Sequence, residues 1–157
     1  MTARIARPWG RIALQTLLAG IAGGALLDAF LWFVLVRPAG AGIAALWQTV
    51  AVQALGKSIA GDPNAAAYGL AIHAVVSLVW AGAYAYVAAS RPTFNARWVV
   101  AGIVYGLVVY LFMQIVLLVS GNFEYPHSPN DFIAAVVAHV VFFGLPVALV
   151  VKLLARA

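Results

Sequence analysis

Four long apolar runs dominate the chain: Ile12 to Val36, Tyr68 to Ala89, Trp98 to Val119 and Phe132 to Leu154. A helix rises about 1.5 Å per residue and a bilayer's hydrocarbon core is about 30 Å thick, so each run is long enough to cross once. The connection from Pro38 to Ala67 is longer than the others and partly apolar. Within it Ile43, Leu46, Trp47, Val50 and Ala54 recur at helical spacing, with Thr49, Gln53 and Lys57 on the opposite face. That pattern predicts an interfacial helix over about residues 43 to 59, either flat on the outer leaflet or dipping in to cover the bundle. Gly61-Asp62-Pro63-Asn64 then turns the chain into the second span. The expected fold is all-α: a single-domain, integral membrane, antiparallel four-helix transmembrane bundle with an amphipathic helix on its outer face.

Four polar side chains interrupt the apolar runs, one per run: Asp28, His73, Gln114 and His139. Measured along the helix, Asp28 lies about 14 Å below Arg37, His73 about 8 Å below Tyr68, Gln114 about 9 Å below Ser120 and His139 about 12 Å below Asp131. All four therefore belong to one layer in the outer half of the bundle. An ionisable group in hydrocarbon is costly enough to turn inward and find a partner, so these residues are predicted to meet.

Helical spacing also puts each on a packing face. Asp28 continues a stripe from Gly20 and Gly24, and Gln114 one from Gly102, Gly106 and Tyr110. His73 shares a face with Ser77, Trp80 and Tyr84, and His139 with Ala135 and Phe142. Pro146 predicts a kink after His139. Trp9, Trp32, Trp47 and Trp98 fall near the predicted interfaces and read as aromatic-belt anchors.

Composition sets the environment. At 66% hydrophobic and 8% charged residues, with a mean hydropathy of +1.03, the chain lies far from soluble domains, which are about 45–50% apolar and about 25% charged. The net charge of +5 does not indicate nucleic acid, because the basic residues sit at segment ends, where anionic lipid is the partner they suit. There is no cysteine, which excludes disulfides, thiolate metal sites, cysteine nucleophiles and c-type haem attachment. The first apolar run follows Arg4, Arg7 and Arg11 as in a signal peptide, but it is too long and has no small-residue cleavage site, so it reads as a retained helix. Those three arginines, with Arg91, Arg97, Lys152 and Arg156, fall on one side of the bundle; Arg37 and Lys57 fall on the other, with Asp62, Glu124 and Asp131. The excess of Lys and Arg predicts that both termini are cytoplasmic.

Several chemistries suit the polar layer. Asp28, His73 and His139 are ligand types for a divalent metal, with Gln114 to orient a ligand, although no local metal motif such as H-E-x-x-H is present. His73 and His139 on facing helices suit bis-histidine haem ligation. Asp28 and a histidine suit a shared proton or a cation, and an internally satisfied cluster that fixes helix register is the structural alternative. Ser77 lies one helical turn from His73, where a serine more often bonds its own backbone. No Ser-His-Asp arrangement, phosphate-binding glycine loop or paired-carboxylate motif is evident, which argues against an enzyme. The loop from Gly121 to Asp131 offers Glu124, Tyr125, His127 and Asp131 as a cap or a surface metal patch.

The run Gly61-Asp62-Pro63-Asn64-Ala65-Ala66-Ala67-Tyr68, then His73, Ser77 and Tyr84, then Gly102 and Tyr105-Gly106, then His139, resembles the YagU-like family of small bacterial inner-membrane proteins. The resemblance covers roughly the last two thirds of the chain; the first outer connection is shorter than the family's. It implies a multi-pass protein of the bacterial inner membrane with an intramembrane histidine at His73 and another at His139, and it carries over no biochemical activity.

Taken together, the sequence indicates a non-enzymatic small membrane protein whose polar layer binds a proton, ion or small ligand, either alone, as a homo-oligomer or as an accessory subunit of a larger complex. Asp28 carries charge, His73 and His139 coordinate or titrate, and Gln114 and Ser77 donate from behind. The alternative is a membrane redox protein with haem held by His73 and His139. The charge pattern predicts that a tag in the loop from Arg91 to Arg97 is inaccessible to an impermeant reagent added outside intact cells; labelling from outside overturns the orientation.

Overall fold

The computed structural model describes residues 9–119, 121 and 128–155; Arg4, Arg7, Ser120, Glu124, Tyr125, His127 and Arg156, used above, lie outside them. The first span is α1 (Trp9–Leu31), prolonged by a π turn over Trp32–Val36. It is followed by α2 (Ile43–Leu55), a 3-10 turn over Lys57–Gly61 and the second span α3 (Ala65–Ser90). The short α4 (Pro92–Ala96) leads into the third span α5 (Trp98–Val119). The fourth consists of α6 (Pro129–Val137), a π turn over Ala138–Gly144 and α7 (Leu145–Leu154). Among the described residues these four helices are long and apolar enough to cross a membrane, and the chain is an all-α, multi-pass four-helix bundle.

Local chemistry explains the ends and irregularities. α2 stops at Gly56, whose φ of +94° favours glycine. α6 starts with the Ser128 hydroxyl accepting from the Asp131 N–H at 3.2 Å and with Pro129 in its first turn, where its missing N–H costs nothing. Pro146, the second residue of α7, cannot donate to the carbonyl four residues back, and its ring crowds that carbonyl. The wide turn over Ala138–Gly144 lies directly ahead of it and accommodates both defects.

The spans alternate in direction. At the end of the bundle that holds the first and last described residues, Trp9 stacks on Tyr86 with ring centroids 6.3 Å apart. There the Lys152 ammonium sits 4.9 Å from the Trp98 ring centre, and the buried Gln15 donates from Nε2 to the Val151 carbonyl at 2.9 Å. α1 is the wedge of the bundle. Its buried face runs through Ile12, Gln15, Ala19, Gly20, Gly23, Gly24, Leu27 and Asp28. Gly20 and Gly24 lie against Leu78 and Ser77 of α3, and Gly23 against Phe143 and Val147 of the last span. Phe30 stacks on Phe142 at 4.3 Å.

The core is built largely from alanines, with Ala19, Ala81, Ala85, Ala138 and Ala148 fully enclosed, while leucines, valines and isoleucines cover the outside. In hydrocarbon, large apolar side chains gain little by leaving lipid, so helices associate through close backbone approach and van der Waals contact. α5 meets the last span in this way: a Cβ on Gly106 would stand 2.5 Å from the His139 carbonyl oxygen and 2.6 Å from the Val140 Cα. α5 is tied to α3 by the Tyr105 hydroxyl, which donates to the Trp80 carbonyl, and by Trp80 edge-on to Phe112 at 5.0 Å. α2 packs on α3 as well. Ala51 of α2 is fully buried, and Gly69 of α3 passes so close beneath α2 that a Cβ there would overlap the Trp47 carbonyl oxygen.

Gly106→Ala should therefore lower the melting temperature of the detergent-solubilised protein, because overpacking costs about 1–3 kcal/mol and outweighs the helix gain of roughly 0.5–1 kcal/mol. Gly10→Ala, where an added methyl meets nothing within 4 Å, should leave the melting temperature unchanged or raise it slightly.

Candidate functional site

Three elements deliver the site. The α1 stripe of small residues ends at Asp28, which is only 7% exposed. The absence of a side chain at Gly24 lets α3 approach one turn away: a Cβ there would lie 2.9 Å from the Ser77 hydroxyl and 3.5 Å from His73 Nε2. His73 Nε2 then stands 3.2 Å from Asp28 Oδ1. From α2 the Trp47 indole Nε1–H donates to the other carboxylate oxygen, Oδ2, at 3.0 Å. Each Asp28 oxygen thus faces one N–H donor, the arrangement by which a buried carboxylate offsets its lost hydration.

With Asp28 ionised, its oxygens only accept, and His73 Nε2 carries the hydrogen that faces Oδ1. The Ser77 hydroxyl lies 3.4 Å from the same nitrogen, next to the ring rather than committed to the backbone role expected from its spacing. Because Asp28 and Ser77 meet one and the same ring nitrogen, the three do not form a nucleophile relay, which needs the acid on one nitrogen and the hydroxyl on the other. An acid and an imidazole in direct contact are the side-chain types that can share a proton.

The pair borders a cavity of about 500 Å³ between α1, α2 and α3, within the roughly 300–1,000 Å³ of small-molecule sites. Its walls are almost wholly apolar, with Gly20, Ala25 and Ala29 from α1, Leu70 and Ala74 from α3, and the aromatic rings of Trp32, Phe33 and Trp47.

The remaining predicted residues lie away from this pair. His139 sits in the π turn of the last span, where its Nδ1–H donates to the Ala135 carbonyl at 2.8 Å and its ring stands edge-on to Tyr110 of α5 at 5.5 Å. In the neutral ring this leaves Nε2 as an acceptor. Gln114 is half-buried on α5 and does not line the cavity. The structure therefore joins Asp28, His73 and Ser77 directly, and puts His139 beside Tyr110 instead. Ligation of haem or a metal through His73 Nε2 requires the Asp28 contact to be surrendered. Among the described residues no three His, Asp or Glu side chains are grouped to hold a metal. Of the loop candidates Glu124, Tyr125 and His127 lie outside the described residues.

Trp47 is the site residue that sequence reasoning assigned differently, as a belt anchor. The signal was its place on the apolar face of α2, but which span that face covers is not written in its own segment. Gln15 was likewise unremarked, although it falls on the same helical stripe as Ala19 and Gly23.

The fold and site define a multi-pass membrane bundle with a buried carboxylate and a half-buried imidazole beside an apolar cavity. Comparison with protein-family models, curated proteins and solved structures gives no match.

The Trp47 contact predicts energetic coupling. In thermal unfolding of the solubilised protein, a double-mutant cycle between Trp47→Phe and Asp28→Leu should give an interaction of about 0.5–3 kcal/mol; strict additivity would mean that the hydrogen bond contributes nothing.

Proposed function

We propose that this is a non-enzymatic small polytopic protein of the bacterial inner membrane, of the YagU-like kind, whose Asp28–His73 pair holds an exchangeable proton in the outer half of the bundle. Both termini face the cytoplasm, and the cavity end faces outward. Support for the orientation comes from the charge pattern, with Arg11, Arg91, Arg97 and Lys152 at one end. Support for the membrane and family comes from the residues shared with that family. An accessory role in a larger membrane complex, or a homo-oligomer, fits a chain of this size whose spans expose many large apolar side chains.

The observation that carries the reading is the 3.2 Å contact between His73 Nε2 and Asp28 Oδ1, set between two spanning helices. Intramembrane ionisable groups are expensive, and they recur where protons, ions or ligands are handled. A cluster whose only task is register would be served by neutral hydrogen bonds at lower desolvation cost.

Difference infrared spectroscopy across a pH step tests it. Wild-type protein should show linked carboxyl and imidazole bands, and Asp28→Asn and His73→Gln should each remove both. Bands that disappear one at a time would mean independent groups, and a spectrum without either would leave the pair a purely structural contact.

A further inference from the structure

From the charges and walls of the cavity we infer that it binds a lipophilic monovalent cation in exchange for the proton of the Asp28–His73 pair; this rests on the proton-sharing reading above. Among the described residues Asp28 is the only acidic one lining the cavity, His73 is the only other titratable one, and neither Lys nor Arg is among the lining residues. α2 brings only the Trp47 indole to the pair. On the last span, the titratable His139 has its Nδ1–H committed to the Ala135 carbonyl.

Charge balance then limits the occupancy. With its proton the pair is neutral, and a second positive charge beside an imidazolium is opposed. Without it, neutral donors still face the carboxylate but its net negative charge stands beside an apolar wall, which is unfavourable unless a cation balances it. The site is stable with a single positive charge, either the hydrogen on the imidazolium or a cation in the cavity. One cation entering therefore releases one proton from His73 to water, the imidazole N–H bond breaking and no other bond changing. In a low-dielectric wall the carboxylate attracts across several ångströms, so the cation need not displace the indole N–H.

The walls select the kind of cation. A small hydrated ion would lose its water to walls that offer almost no oxygen ligands. A cation whose charge is spread over apolar groups loses little hydration and gains contact with the lining, which includes the aromatic residues Trp32 and Trp47, ring types that attract positive charge. The Phe33 ring at the cavity edge already has the Arg37 guanidinium 5.5 Å from its centre.

Tetraphenylphosphonium is the probe. Calorimetric titration of the full-length solubilised protein, in two buffers of different ionisation heat, should show saturable binding with about one proton released per cation bound. Asp28→Asn should weaken binding by about tenfold or more. Ala25→Trp fills the cavity from an exposed α1 position; it should abolish binding while keeping the infrared bands of the pair, which separates loss of the cavity from loss of the fold. Triphenylphosphine oxide, neutral and of similar shape, should compete poorly. Absence of saturable binding, binding undiminished in Asp28→Asn, binding without proton release, or equal competition by the neutral molecule would each overturn the inference. If the wild type fails to bind while its infrared bands remain linked, the cation inference falls and the proton reading stands; if the linked bands are missing too, both fall.

Discussion

An ionised carboxylate in hydrocarbon has to be surrounded by donors, and the geometry of half of this bundle follows from doing that for Asp28. Its two oxygens take their hydrogens from different helices, His73 on α3 and Trp47 on α2. Satisfying one side chain therefore fixes three elements relative to one another. The glycines make it possible. Gly24 lets α3 come near enough for His73 to reach, and Gly69 lets α2 settle on α3 so that the Trp47 indole points down to α1. Electrostatic need and backbone proximity are thus two aspects of one arrangement.

The other half of the bundle uses the same means for a different end. α5 and the last span touch through Gly102, Gly106 and Gly144, and the π turn ahead of Pro146 sets the backbone of His139 against Gly106. That turn gives His139 a donor bond to Ala135 and an aromatic neighbour in Tyr110, so the ring is held by its own helix and by α5. His73 and His139 consequently have different surroundings: one faces a carboxylate, the other a carbonyl and a ring. Only the first can gain or lose a proton with an acid partner in contact.

Much of this was legible in one dimension, because the physics involved is one-dimensional. Span length, apolar composition and the 3.6-residue period depend on a segment alone, so four helices, a packing stripe through Gly20, Gly24 and Asp28, and an amphipathic segment containing Trp47 could be read directly. The cost of burying a charge is also local, which is why Asp28 and His73 stood out as site candidates. Depth along the helix axis followed from residue counting.

Direction about the axis, and the choice of neighbour, did not. Depth grouped Asp28, His73, Gln114 and His139 equally, but helix order and crossing put α3 and α2 beside the carboxylate, leaving His139 to Tyr110 and Gln114 half-buried on α5. Trp47 looked like a belt residue because an indole suits an interface; its bond to Asp28 exists only because Gly69 lowers α2 onto α3. The sequence by itself determined which residues cannot rest in lipid unpaired, since that cost belongs to each side chain. The tertiary structure alone decided their partners, since hydrogen bonds between helices depend on how closely separate backbones can pack.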